Sequence, residues 1–348
     1  MSNIAILKRN LPEKESRFNF LRLDKNERVS RFELSFLRHF KNNLKSEHFT
    51  AYPELYTFYK KISKLHNLKP DYFLATNGID NGLKSCIETF SNNEKTVIIL
   101  KPTFAMIEIY CKLYKRKYFS IGYKKNFELD FDLILKSITK KISLIIISNP
   151  NSPTGTLINN EKLEKIILKA KGKNIKVVID EAYFGFTKAT AIKSIKKHNN
   201  VIVLRTFSKA YGIAGLRVGY IASAPKNILA LKSCKPMYEL NSLGILAANI
   251  LLDNKKYYKN YIKSVTIGKK YLISFLKKNK IDYIDTHANF IFLKLKKNFS
   301  KTIKKLNKKK IKVSYNLKST FLKNLIRITL GPKEEMIKII DILKINEK

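Results

Sequence analysis

Cysteine is scarce in this 348-residue chain: Cys86, Cys111 and Cys234 lie far apart and form no Cys-x-x-Cys pair. That excludes a disulfide framework and a cysteine-based zinc site, and makes a reducing, cytoplasmic setting the expectation. No apolar run approaches the roughly 20 residues that a membrane span requires, and Met1–Arg9 contains too short an apolar stretch for a secretory leader. Gly/Ser linkers, internal repeats and low-complexity tracts are missing too, apart from a general excess of lysine. Acidic residues are few: 27 Asp and Glu against 69 Lys and Arg leave a net charge of +42 and a pI near 10.0. Such an excess can mark a nucleic-acid partner. Here the lysines run from end to end, as in Lys60-Lys61 and Lys304-Lys305, instead of gathering on one element among aromatics. Lys, Ile, Asn, Phe and Tyr are abundant together, which are the residues of AT-rich codons and put the bias in the genome. The expectation is a solvated basic surface that attracts anionic metabolites, with no nucleic-acid or membrane partner and no metal.

What is present is a series of short, β-branched apolar runs separated by helix-length amphipathic stretches. The runs are Val97–Leu100, Leu144–Ile147, Val177–Ile179, Val201–Leu204 and Val218–Ile221. Nearly continuous apolarity implies burial on both faces, as in a mostly parallel, doubly wound α/β sheet. After about residue 240 the pattern changes to a long helical stretch, a strand at Phe290–Leu293, a Lys-rich helix and a last strand at Ile326–Thr329, which predicts a smaller α+β domain.

Three segments at the ends of buried strands carry the chemistry. In Thr206-Phe207-Ser208-Lys209-Ala210-Tyr211-Gly212, running on to Arg217, two hydroxyls and a guanidinium surround one lysine in a Gly-punctuated loop. That arrangement holds a phosphate beside an amine. Most lysines of this chain are surface charges, but Lys209 has neighbours that suit a Schiff-base nucleophile, which must be desolvated and close to a cation to lose its proton near neutral pH. Val177–Ile179 ends in Asp180-Glu181-Ala182-Tyr183; Asp180 there can keep a pyridinium nitrogen protonated and Tyr183 can hydrogen-bond a phenolic oxygen. Alone, a strand-end Asp is more often a turn or capping residue. The third segment, Ser148-Asn149-Pro150-Asn151-Ser152-Pro153-Thr154-Gly155, is by itself a Pro/Gly turn.

Together and in this order, these segments resemble the pyridoxal-phosphate aminotransferases of fold type I, class I/II, and most nearly the histidinol-phosphate aminotransferase branch. The resemblance spans nearly the whole chain. It implies an N-terminal arm over residues 1–34, a large cofactor-binding domain over 35–240 and a small C-terminal domain over 241–348. It further implies that Lys209 forms the internal aldimine with pyridoxal 5′-phosphate, that Asp180 and Tyr183 contact the ring, and that Thr206, Ser208 and Arg217 hold its phosphate. Thr76–Gly82 resembles the family's glycine-bearing turn at a helix start, so that Gly78, Ile79 and Asp80 are expected to present backbone N–H groups to the same phosphate. Phe104, in Lys101-Pro102-Thr103-Phe104, matches the aromatic that stacks on the ring. Tyr52, in Ala51-Tyr52-Pro53-Glu54, matches a tyrosine that reaches the neighbouring subunit's cofactor phosphate, which implies a homodimer with shared sites. Arg327 matches the arginine that binds the substrate carboxylate, and Asp24-Lys25-Asn26-Glu27 the arm that folds over the site, with Asn26 as a substrate contact.

The chain departs from the family pattern in three places. Family members commonly carry Asn immediately before Pro-Thr-Gly; here Ser152 stands there and Asn151 one place earlier, and both are candidates for the ring-oxygen contact. The arm continues as Arg28-Val29-Ser30-Arg31-Phe32 where a Pro- and Gly-bearing turn is usual. The second arginine that histidinol-phosphate members tend to carry shortly before the Arg327 position is missing from Lys312-Val313-Ser314-Tyr315, so Arg28 and Arg31 are the candidates to take its place toward a substrate phosphate. The expected activity is transamination of a small, anionic, phosphorylated amine or amino acid. The alternative within the resemblance is decarboxylation of an O-phospho-amino acid such as phosphoserine or phosphothreonine, because both reactions use the same electron sink. A basic nucleic-acid-binding protein with a lapsed site would lack Lys209 or Asp180, and both are present.

Overall fold

The computed structural model describes residues 15–124, 126–295, 298–315 and 322–344. The Met1–Arg9 stretch weighed above lies outside them. The described chain opens with a short strand, β1 (Leu21–Leu23), and three helices, α1 (Leu34–Asn42), α2 (Glu47–Thr50) and α3 (Tyr56–His66). Seven strands then build one sheet: β2 (Phe73–Asn77), β3 (Thr96–Lys101), β4 (Tyr118–Gly122), β5 (Ile142–Ser148), β6 (Lys176–Asp180), β7 (Val201–Thr206) and β8 (Val218–Ser223). Their order is β2-β8-β7-β6-β5-β3-β4, parallel except for the two pairings of β8. The connections carry α4 (Gly78–Phe90), α5 (Ala105–Leu113), α6 (Phe131–Ser137) and α7 (Asn160–Lys171), and α8 (Pro225–Ser233) and α9 (Ser242–Asp253) follow the last strand. This is the fold of type I pyridoxal-phosphate transferases.

The apolar runs become strands of this kind because both faces of the sheet are covered. Side chains alternate between faces with period two. Ile145, Ile147, Val177, Ile179, Val201 and Val203 enter one core, where α3, α7 and α9 supply Phe58, Ile62, Ile166 and Leu251. Leu144, Ile146, Val178, Ile202 and Leu204 enter the opposite core with Leu83 and Ile87 of α4, Ile107 of α5 and Leu231 of α8. Such a sheet leaves its strand ends free for polar residues, and the carboxyl ends of β5, β6 and β7 are where the expected site residues lie.

The second unit is a three-stranded antiparallel sheet of β9 (Tyr283–Ile284), β10 (Phe290–Lys294) and β12 (Leu325–Thr329), packed against α10 (Lys256–Lys278), α11 (Phe299–Lys308) and α12 (Lys333–Lys344). β11 (Ile311–Val313) pairs in parallel with β1, so the arm is stitched into this unit and Leu23 is part of its core. The boundary expected at residue 240 lies just ahead of helix α9. Helix α9, assigned above to the small domain, buries Gly244, Ile245, Ala247, Ala248, Ile250, Leu251 and Leu252, and its apolar residues join the large core. Apolar on more than one face, it must sit between layers and not at the surface. The 23-residue α10 begins in the large core with Tyr257 and ends in the small one with Leu272 and Leu276, so the division falls inside this helix.

Candidate active site

A cavity of about 540 Å³ opens where β5, β6 and β7 end, and the arm crosses its mouth. Its floor is Asp180, buried at the end of β6. The Ala182 N–H donates to one carboxylate oxygen at 2.9 Å and the Ser148 hydroxyl, from the end of β5, to the other at 3.2 Å. Burial nonetheless raises the Asp180 pKa to about 6, with Asp80 and Glu181 adding to the effect, because desolvation penalises the carboxylate more than two donors relieve it. Behind Asp180, Glu181 is itself fully buried and accepts from Arg205 Nε and Nη2 at 3.0 and 2.8 Å, from Thr190 Oγ1 and from the Ala191 N–H. This ion pair ties the end of β6 to the end of β7 and was not anticipated from the sequence.

One end of the cavity is a cradle for an anion. Thr206 Oγ1 donates to Ser208 Oγ at 2.9 Å and accepts from the Ser208 N–H, while Arg217 Nη1 reaches Ser208 Oγ at 3.4 Å. Helix α4 starts here at Gly78, which adopts φ +69° and lies so close to Arg217 that an added Cβ would sit 2.7 Å from Nη2. Only glycine combines that backbone with that approach. Ile79 and Asp80 follow on the first turn and line the cavity, with Asp80 3.8 Å from Arg217 Nη2. Phe104, at the N-terminus of α5, and Ser152 line it as well.

Lys209 projects between floor and mouth, and its Nζ donates to the Lys25 carbonyl at 2.8 Å. Loss of hydration, and then the Arg327 guanidinium, lower its pKa from the ordinary 10.5 to about 8. Arg327 forms the other end of the cavity; its Nη2 donates to the Asp24 carbonyl at 2.8 Å and its Nε has no partner among the described residues. Tyr183 is buried beside Lys209, its hydroxyl accepting from Asn26 Nδ2 at 2.8 Å.

Three expected residues, Asn151, Arg28 and Arg31, do not face the cavity, and Tyr52, expected to reach a neighbouring subunit, does not line the cavity of its own chain. Asn151 is fully buried but turns away from the cavity, its Nδ2 donating to the Pro102 carbonyl and to Thr154 Oγ1, so that it braces the turn and leaves Ser152 alone to face inward. Arg28 is also buried: its guanidinium lies 4.1 Å from the Phe32 ring centre and 4.4 Å from that of Tyr261 and donates to the Ser30 and Arg31 carbonyls. It packs against Gly212 of the Lys209 loop and points away from the cavity. Arg31 is exposed and does not line the cavity either. Neither arginine therefore replaces the second family arginine within its own chain. Tyr52 is 72% exposed, stacked at 4.1 Å on Tyr238, and away from the cavity of its own chain. Asp24, Lys25 and Glu27, expected only as part of the arm that folds over the site, and Ser148, quoted only within its turn segment, also line the cavity. Ser148 is the last residue of a buried strand. Glu27 is held by Arg17 and Arg22 of the arm. Among the described residues no group of His, Cys, Asp or Glu is arranged to hold a metal, and no helix is long and apolar enough to cross a membrane.

The family model for "Aminotransferase class I and II" matches residues 31–343. A histidinol-phosphate aminotransferase of Clostridium novyi is 32% identical over 276 residues, covering 78% of this chain and 75% of its own. Two solved structures share the fold. A putative histidinol-phosphate aminotransferase from Erwinia carotovora atroseptica has a TM-score of 0.86 at 22% identity, covering 95% of this chain and 97% of its own. L-threonine-O-3-phosphate decarboxylase from Porphyromonas gingivalis has a TM-score of 0.79 at 21% identity, covering 94% and 100%.

Proposed function

We propose, from the premise that the chain belongs to the class I and II aminotransferases, that it moves the amino group of a small phosphorylated amine, of the histidinol phosphate kind, to a 2-oxo acid. The cofactor is pyridoxal 5′-phosphate, and the residues fit it. A dianion suits the cradle of Ser208, Thr206, Arg217 and the first turn of α4. The observation that carries the reading is the position of Lys209: an amine with its pKa lowered to about 8, between the Asp180 floor and the Arg327 guanidinium, in one cavity with that cradle.

When bound, the cofactor supplies a carbonyl that captures amines and a pyridinium ring that withdraws electrons from the bonds at Cα. The chain supplies the rest. Asp180 holds negative charge at the floor, where a ring nitrogen keeps its proton only if a carboxylate faces it. Lys209 Nζ, neutral above about pH 8, is placed to take the proton from the substrate carbon and to hold it for return, the proton movement that separates transamination from decarboxylation. Arg327 grips the substrate's anionic group once it releases the Asp24 carbonyl, and the arm then excludes water. The exposed Tyr52 supports a homodimer with shared sites, in which it serves the partner's phosphate cradle; sedimentation under assay conditions tests that state. The three unpaired cysteines, two of them buried, support a cytoplasmic location.

The test is a panel of phosphorylated amines, their dephosphorylated analogues and phospho-amino acids, each with and without a 2-oxo acid. The expected result is an amino acid formed from the acceptor, no CO₂, and preference for the phosphorylated amine. Stoichiometric CO₂ release without an acceptor overturns transamination, and a better unphosphorylated substrate overturns the phosphate.

A further inference from the structure

Asn26 is expected from its place in the arm to touch substrate, but its polar atoms are engaged by the protein. It is 2% exposed and sits at φ 54°, a left-handed backbone that few residues with a side chain adopt and asparagine tolerates best. Its backbone N–H donates to Thr329 Oγ1 at 3.0 Å, and its carbonyl accepts from Asn289 Nδ2 at 3.2 Å. Thr329 Oγ1 in turn donates to Asn26 Oδ1 at 3.1 Å. A hydroxyl has a single proton, so this bond orients the amide and leaves Nδ2 facing the Tyr183 hydroxyl, 2.8 Å away. The tyrosine oxygen therefore accepts from Asn26. Ser152 lines the same cavity and favours the ionised oxygen of Tyr183. With one lone pair engaged by Asn26, the Tyr183 proton is turned away from the amide and toward the cavity that this ring lines.

We infer that Asn26 is a positioning residue that aims the Tyr183 hydroxyl proton into the cavity. What the proton meets there, the cofactor's phenolic oxygen, rests on the function proposed above. Since Asn289 and Thr329 flank and end strands of the three-stranded sheet and Tyr183 follows β6, this amide links the seating of the arm to the tyrosine, beside the direct packing of Tyr183 on Phe290.

Two substitutions separate polarity from structure. Asn26→Asp is nearly isosteric and keeps an acceptor for Thr329, but it accepts where the amide donated and so draws the Tyr183 proton out of the cavity. Asn26→Gly keeps the left-handed backbone and deletes the amide. In the loaded enzyme, a hydroxyl donated to the phenolic oxygen favours its ionised form. The pH midpoint of the bound cofactor's visible absorbance should therefore rise by about one unit in Asn26→Asp and by less in Asn26→Gly. Neither should move it in a Tyr183→Phe background. An unmoved midpoint in Asn26→Asp, or an equal shift with and without Tyr183, overturns the inference. Without cofactor, NMR of the Asn26 side-chain amide gives an independent answer: its protons should exchange about tenfold faster in Tyr183→Phe than in the wild type. Unchanged exchange overturns the inference whatever the cofactor. Failure of the functional reading has a different signature, a wild type with no visible absorbance but an intact amide response.

Discussion

At the ring end of the cavity, Ser148, Asp180 and Thr206 are the last residues of β5, β6 and β7, so their spacing is set by a sheet ladder with a core on each face. At the opposite end, Arg327 meets Asp24, and Thr329 meets Asn26, across 303 residues of sequence. The first end is pre-organised by secondary structure and has no way to relax. The second is closed by a few hydrogen bonds to the arm's main chain. The carbonyls of Asp24 and Lys25 hold Arg327 and Lys209, and under the proposed function substrate displaces both contacts. Rigidity is thus spent on the cofactor and adaptability on the substrate.

Substitutions at the two ends should differ in kind. Lys209→Ala should lower kcat by about a thousandfold or more with an unchanged far-UV spectrum, since the proton at Nζ has no other carrier. A variant within tenfold of wild type would break the contrast at its centre. Asp180→Asn should keep the fold and bound cofactor and lose about a hundredfold to a thousandfold in kcat, comparable to removing one fixed electrostatic contact to a developing charge, about 3 kcal/mol. Near-normal kcat would make Asp180 a capping residue.

At the other end the loss should appear in KM. Arg327→Ala should raise KM for the anionic substrate by about tenfold to a hundredfold and leave the bound cofactor's absorbance alone, since one charge-assisted pair is worth roughly 1.5–3 kcal/mol. Lysine should rescue it only in part, having no bidentate fork. The ends also communicate through charge, which sharpens the comparison. Arg327 helps hold the Lys209 pKa at about 8, so in the apoprotein trace labelling of that amine should rise through about pH 8, with the reactive neutral form dominant above it. Removing the Arg327 charge should move that midpoint upward; a stationary midpoint would leave burial and the Arg217 charge as the causes. The smallest effect is expected at Arg28. Arg28→Ala should lower the melting temperature by a few degrees through lost stacking on Phe32 and Tyr261, and weaken phosphorylated and unphosphorylated substrates alike. A selective loss toward phosphate would return it to the substrate site.

The same contrast decides what was legible in the sequence. Thr206, Ser208, Lys209 and Arg217 share one short loop, and Asp180 ends an unmistakable apolar run, so local pattern and resemblance together sufficed. Side-chain direction was not readable: Asn151 and Ser152 are neighbours, yet one braces the turn and the other faces the cavity. Arg28 follows Glu27 directly, but its aromatic platform includes Tyr261, far along the chain, and nothing near Arg28 announces it. Strands β1, β9 and β11 are two or three residues long, too short to show a period. Helix α9 packs its apolar residues into the large core, and its pattern tells of burial without telling in which core.

The pairing of β1 with β11 has a consequence for the order in which the molecule comes into being. During synthesis the ring end is complete once β8 has emerged, and it rests on contacts between neighbouring stretches of chain. The arm precedes the sheet, and although Tyr183 and Lys209 reach it earlier, its strand partner β11 and its Thr329 contact follow only after β8, so it waits for them through much of translation. Contacts of such long range form late because their loop entropy must be met before they reward it. A nascent chain stopped short of Arg327 therefore has a lysine, a floor and a phosphate cradle but lacks the Arg327 end of the cavity, and the stretch from β11 to β12 is the one that stitches the arm into the site.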